Sequence, residues 1–132
     1  VGGAVGLQAA IHYVEKLGFS FIEERERELS AYLMDGMKDI PHIHILGSKN
    51  GEHHHGIMTF TIDGVHPHDI AEILDSHHLC IRAGHHCAQP LMKFMGTPST
   101  SRVSLGLYNT KSDVDAFLSA VKTIRGAMGY GD

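Results

Sequence analysis

The sequence has few cysteines, no run of basic residues and no long apolar segment, and each of these absences excludes a class of protein. Two cysteines in 132 residues are too few for a disulfide framework, and a bridge between Cys80 and Cys87 would close too short a loop to stabilise much. Both are expected to be reduced thiols. Lys and Arg number 11 against 15 Asp and Glu, for a formal charge of -4, and they form no basic stripe. Nucleic-acid binding is therefore not expected.

No apolar run approaches the ~20 residues of a membrane-spanning helix, and the first residues lack the basic and apolar regions of a secretion signal. We therefore expect no membrane partner and a cytoplasmic location. The hydrophobic share of 42% is enough for one modest core, so residues 1–132 are predicted to form a single domain. The chain opens on Val1, and VGGAVGLQAAIHYV has a helical pattern from its first residues, which suggests a piece of a longer protein.

Apolar residues recur at helical or strand spacing along most of the chain. In order, the pattern predicts helices over 4–14 and 22–37, strands over 43–46 and 56–62, a helix over 67–77, a strand over 79–84, one or two helical turns over 90–95, a strand over 101–109, and a helix over 114–128 that opens with a Thr110 to Asp113 capping box. The sum is a small α/β domain with two layers, α+β in type. About three to four strands form one sheet, with helices packed on one face.

Strand alternation places two arginines away from the core, because successive side chains point to opposite faces. Arg82 lies on the face opposite Ile81, and Arg102 lies on the face opposite Val103. Arg102 is therefore expected to lie free of the core, where an ordinary surface ion pair is one possibility.

The stretch RAGHHCAQP, residues 82 to 90, places Cys87 directly after a histidine pair. A cysteine is a nucleophile when its thiolate is populated, which requires nearby positive charge or a helix N-terminus. Arg82, His85 and His86 can supply the charge, and Pro90 indicates that a helix begins just after the cysteine.

Spacing alone does not decide what this cysteine does. Gly84 can take a positive φ where the chain leaves the strand, and such a turn would hold Cys87 out on a loop as a nucleophile. The alternative is a small buried residue. Cys80, inside the predicted strand, is expected to pack rather than react.

Twelve histidines raise the possibility of a metal-binding module. The cluster His53 to His55 lies in a polar, glycine-containing stretch that is typical of a solvated loop. His85, His86 and Cys87 are adjacent and cannot easily point at one ion together. No C-x-x-C or H-x-x-x-H spacing is present. No metal ligand is predicted, and a His-rich metal module stays only as an alternative.

RAGHHCAQPLM and SRVSLGLYNT closely resemble the active-site cysteine segment and the following strand of the SufS/CsdA group of cysteine desulfurases. These are pyridoxal-phosphate (PLP) enzymes of the class V aminotransferase superfamily. The likeness extends to VGGAVGLQAAIHYVEKLG, GIMTFTIDGVHPHDIAEIL and TKSDVDAFLSAVKTI, and so to essentially the whole chain. The resemblance implies the C-terminal small domain of a PLP-dependent transferase.

By this resemblance, Cys87 matches the residue that takes sulfur from L-cysteine, leaving L-alanine and a persulfide. Arg102 matches the arginine that receives the substrate α-carboxylate, a task for which a planar guanidinium is suited. Arg82, together with His85 and His86, matches further positions of the motif that tune the thiol or protonate leaving groups. A purely structural role for each histidine stays open.

The resemblance also implies what the chain lacks. The Schiff-base lysine and the residues that bind PLP belong to a large domain upstream of Val1, and none of the six lysines here lies in the family's lysine motif. PLP is therefore expected in the intact enzyme, whereas this chain alone is expected to bind it weakly and to be inactive.

The family implies a homodimer that hands its persulfide to a SufE-like or SufU-like acceptor for iron-sulfur cluster assembly. His66 and His68 could contact a zinc-bearing acceptor, or could cap a helix. A selenocysteine lyase, or a class V enzyme that acts on another substrate such as cysteine sulfinate, stays open as an alternative.

Overall fold

The computed structural model describes residues 1–130, and its four strands form one antiparallel sheet in the order β1-β2-β4-β3. The strands are β1 (Ile43–Leu46), β2 (Ile57–Ile62), β3 (Arg82–Gly84) and β4 (Thr100–Ser104). The helices are α1 (Gly2–Leu17), α2 (Phe19–Met37), α3 (Pro67–Ser76), α4 (Gln89–Met95), α5 (Lys111–Val121) and α6 (Ile124–Ala127), with a 3-10 turn over Gly51–His54. Among the described residues, no helix is both long and apolar enough to cross a bilayer.

The core lies between one face of the sheet and the helices α2, α3 and α5. Met58, Phe60 and Ile62 alternate along β2 and are buried, as the strand pattern predicts. Phe60 meets Phe117 of α5 edge to face, with the ring centroids 6.0 Å apart. The remaining core side chains come mainly from α2, α3, α5 and β4 (Leu29, Leu33, Met37, Ile70, Leu74, Val103, Val114 and Val121). The predicted two-layer arrangement is confirmed.

Three predicted elements are shorter in the structure. The strand expected over 79–84 begins only at Arg82, because the N–H of Leu79 is used to close the end of α3 on the carbonyl of Leu74. The strand expected over 101–109 ends at Ser104, where the Asn109 side chain accepts a hydrogen bond from the N–H of Gly106 and forms a turn. The last predicted helix is interrupted at residues 122–123 between α5 and α6.

The expectation that Cys80 packs in the interior is wrong. It is exposed, whereas its neighbours Leu79 and Ile81 are half-buried and pack against the core. The segment therefore turns its two aliphatic side chains inward and the cysteine between them outward.

The cap of α5 confirms the capping box predicted from the sequence. The Thr110 hydroxyl accepts from the N–H of Asp113, and the Asp113 carboxylate accepts from the N–H of Thr110 at 2.8 Å. This second bond is the main cause that lowers the pKa of Asp113. The bond between the Asp113 carboxylate and the N–H of Thr110 therefore stabilises the fold at pH values above the ordinary pKa of a carboxyl group. This stabilisation is lost as the pH falls through the lowered pKa of Asp113.

We expect Thr110→Ala to lower the free energy of unfolding by about 1 kcal/mol, because the substitution leaves one N–H at the start of α5 without its partner. Equilibrium denaturation in urea measures the change. Ser112→Ala, two residues into the same helix, is the matched control and should have little effect. Equal stability of the two variants would contradict the role of the cap.

Candidate functional site

The face of the sheet that points away from the core carries a row of side chains across three strands. Arg82 of β3 pairs directly with Arg102 of β4, and Arg102 pairs on its other side with Thr59 of β2. Both arginines lie on the face predicted from strand alternation. The structure adds that they are immediate neighbours, which concentrates positive charge at one place.

Neither arginine forms an ion pair with an acidic side chain within residues 1–130. The Nε atom of Arg102 is buried and has no hydrogen-bond partner there. The surface ion pair considered for Arg102 is therefore not observed. Two neighbouring guanidinium groups with unused donors suit an anion, above all a planar carboxylate.

Cys87 stands on a tight turn between β3 and α4. Gly84 ends the strand at a φ of 126°, as its position in the motif predicts, and His86 and Cys87 follow with φ values of 54° and 58°. The Cys87 side chain is exposed, and its Sγ lies 3.9 Å from Nη2 of Arg82. Of the two alternatives for this cysteine, burial is excluded, and the thiol sits beside a cation.

The two histidines before Cys87 make different contacts. The Nδ1 atom of His85 accepts a hydrogen bond from the N–H of Cys87 at 3.1 Å, which closes the turn locally. His86 is half-buried, and its Nε2 lies 2.9 Å from the hydroxyl of Thr100 on β4. Burial, followed by the positive charges of Arg102 and Arg82, lowers the pKa of His86. The ring of His86 is therefore neutral at pH 7.

A cleft of about 350 Å³ lies against this face of the sheet. Arg102, Thr59 and His86 contribute its polar groups, and Leu46, Leu91 and Met95 contribute apolar walls. The cleft is of a size for a small molecule that has one carboxylate. The sequence analysis did not predict Thr59 and Thr100 as site residues. Strand alternation could have identified Thr100, because it lies two residues before Arg102 and therefore on the same face of the sheet.

Residues 1–117 match the family described as aminotransferase class-V. The chain belongs to this family. Proteins similar to this class-V aminotransferase domain include cysteine desulfurases.

The chain is 43% identical to a probable cysteine desulfurase of Staphylococcus epidermidis over 130 residues, which are 98% of this chain and 31% of the relative. It matches the apo structure of a cysteine desulfurase from Thermococcus onnurineus NA1 with a TM-score of 0.89 and 39% identity, over 95% of this chain and 31% of that one. For the Escherichia coli cysteine desulfurase CsdA, the TM-score is 0.85 and the identity 31%, over 95% and 30% of the two chains. The chain therefore spans about a third of the length of these relatives.

The cofactor that the family implies is PLP, and the residues around the cleft do not fit it. PLP is held through a lysine amine, but all six lysines are exposed and none lines the cleft. The side chains that do line it offer one guanidinium, a hydroxyl and a neutral imidazole. This set can receive a carboxylate, but it contains no amine that could bind the aldehyde of the cofactor.

The geometry gives no support to the metal-module alternative. Within residues 1–130, no group of three or more His, Cys, Asp or Glu side chains is arranged to hold a metal ion. His53 contacts the hydroxyl of Ser48, and His54 contacts the carbonyl of the same residue at 2.8 Å. Two of the clustered histidines therefore stabilise the loop in which they lie.

His66 adopts the capping role that the sequence left open. Its Nδ1 accepts from the N–H of His68 at the start of α3. One of its two ring nitrogens is therefore engaged in the helix cap.

Proposed function

We propose that this chain is the C-terminal, sulfur-accepting part of a PLP-dependent cysteine desulfurase, in which Cys87 receives the sulfur of L-cysteine as a persulfide and L-alanine is released. The observation that carries the proposal is the exposed thiol of Cys87 at 3.9 Å from Arg82, on the same side of the sheet as the unpaired Arg102. A reactive thiol and a carboxylate receptor are the two groups needed from the protein to bind an amino acid and take its sulfur.

Each side chain has a separate task. Arg102 binds the α-carboxylate of cysteine through its unused donors, and so fixes the orientation of the substrate. Arg82 places a positively charged guanidinium 3.9 Å from the sulfur of Cys87. His85 keeps the turn closed through the N–H of Cys87.

PLP, when bound, supplies an electron sink for the carbon skeleton of the substrate. Its lysine and phosphate contacts would come from the part of the protein that lies outside this sequence. On this basis the isolated chain is expected to be inactive. The large PLP-binding domain, a homodimeric assembly and a cytoplasmic location belong to the same proposal.

The persulfide on Cys87 requires a second protein to remove its outer sulfur for iron-sulfur cluster assembly. We propose a SufE-like or SufU-like acceptor, and the exposure of Cys87 supports a transfer at the protein surface.

The test is the release of L-alanine by the full-length protein with PLP, L-cysteine and a thiol reductant. We expect alanine and sulfide in equal amounts, and none from L-serine, which has the same carboxylate but no sulfur. Parallel reactions with selenocysteine and cysteine sulfinate measure the preference for the leaving atom. If no alanine forms from cysteine under conditions where the protein binds PLP, the proposal is wrong.

A further inference from the structure

The turn that presents Cys87 is in an unfavourable backbone conformation. His86 and Cys87 are consecutive residues with side chains, and both have left-handed φ values, 54° and 58°. Single residues other than glycine adopt this region uncommonly, and two in succession are rarer. Such a conformation persists only where surrounding contacts hold it.

The contacts of this turn fall into two groups. The bonds from the N–H of Cys87 to Nδ1 of His85 and from the N–H of Ala88 to the carbonyl of His85 stay inside the turn. They move with it and cannot fix its position. The contact of His86 Nε2 with the Thr100 hydroxyl at 2.9 Å instead connects the turn to the sheet. The contact of the Cys87 sulfur with Arg82 of β3 at 3.9 Å does so as well, but its acceptor is sulfur, which is a weak one.

Thr100 is a rigid point of attachment. It is completely buried, and it lies in β4, which pairs with β2 on one side and with β3 on the other. β3 is the strand that leads into the turn, and its last residue, Gly84, pairs with Thr100 itself. The hydroxyl therefore lies under the point where the chain leaves the sheet.

We propose that Thr100 is a positioning residue: its buried hydroxyl holds His86, and through His86 it fixes the strained turn that keeps Cys87 beside Arg82. The two histidines then have distinct roles. His85 closes the turn on itself, and His86 ties it to the sheet. The inference rests on the proposed function, since it matters only if Cys87 is the reacting thiol.

The protonation of His86 agrees with this role. Burial and the neighbouring charges of Arg102 and Arg82 lower its pKa, so the ring is neutral and carries a single N–H. A hydroxyl can donate to a bare ring nitrogen or accept from a protonated one, and so can pair with either tautomer. Threonine also keeps this hydroxyl in few rotamers, because it is branched at Cβ.

The test measures the rate at which iodoacetamide alkylates Cys87 in the full-length protein, a reaction that requires no cofactor. All variants carry Cys80→Ser as a common background, since Cys80 is also exposed and would otherwise react. Thr100→Val should release the turn, so that Cys87 is no longer held beside Arg82. Alkylation should then slow about three- to ten-fold, the range that corresponds to loss of one hydrogen bond. Thr100→Ser, which retains the hydroxyl, should restore the rate. Thr61→Val, a comparable change on β2, is the matched control and should leave it unchanged.

Two further measurements keep the test decisive if Thr100→Val perturbs folding. His86→Leu removes the same contact from a less buried position and should slow alkylation equally, and combining it with Thr100→Val should add nothing.

An alkylation rate in Thr100→Val equal to that of the background, or a failure of Thr100→Ser to restore it, would overturn the inference. Failure of the proposed function has a different signature. It would be seen as a full-length protein that releases no alanine from cysteine, whatever the alkylation rates.

Discussion

Replacing Cys87 with alanine in the full-length protein should abolish the enzyme-bound persulfide and lower alanine release in the presence of the sulfur acceptor by about a thousandfold or more. Loss of a catalytic nucleophile typically has effects of this order, because no other group is placed to take its role. Cys80 cannot substitute: it lies outside the turn, before β3 begins, and no contact joins it to Arg82 within the described residues. Mass spectrometry detects the persulfide, and amino-acid analysis measures the alanine.

The matched control is Cys80→Ala, which removes the other exposed thiol and should retain the parental rate. Together the two variants separate a specific nucleophile from general thiol chemistry. Unchanged turnover in Cys87→Ala with the natural acceptor would mean that the nucleophile is assigned wrongly.

The second large effect is expected at Arg102. Arg102→Gln in the full-length protein should lower kcat/KM for L-cysteine by about 30- to 1000-fold, which corresponds to about 2–4 kcal/mol for the loss of a charge-assisted pair. The substitution keeps a polar side chain but removes the positive charge that, in our proposal, receives the carboxylate. Arg102→Lys should recover little, because an ammonium group cannot form two parallel bonds to a carboxylate.

The control for this prediction is Arg27→Gln, which removes an exposed arginine of α2 that pairs with Glu24 on another part of the surface. Its kcat/KM should be unchanged. Steady-state kinetics over a range of cysteine concentrations measures all three variants, and a parental kcat/KM in Arg102→Gln would show that the carboxylate binds elsewhere.

Local patterns in the sequence were sufficient for most of the fold. The alternation of Met58, Phe60 and Ile62 predicts both a strand and its buried face, and the capping box at Thr110 predicts the start of α5. Both depend only on neighbours along the chain. The ends of the elements were less predictable because they depend on competing contacts, as when Leu79 closes α3 instead of extending β3.

For the candidate site, the sequence predicted which residues take part, and the structure shows which of them are in contact. Alternation placed Arg82 and Arg102 off the core, but their direct opposition depends on the register between β3 and β4. The contact of His86 with Thr100 joins residues 14 apart, so no local pattern reveals it. The catalytic role of Cys87 and the substrate role of Arg102 stay predictions, which the experiments above address.

The paired arginines also have a consequence for the stability of the domain. Like charges directly opposite each other on neighbouring strands weaken a sheet, and here no acidic side chain within residues 1–130 offsets them. The fold therefore carries repulsion at the candidate site. An anionic ligand that bound both arginines would relieve this repulsion, and its binding would then stabilise the folded domain. We expect a neutral pair at these two positions to make a more stable sheet but, if the proposed function is correct, a poorer receptor for the substrate carboxylate.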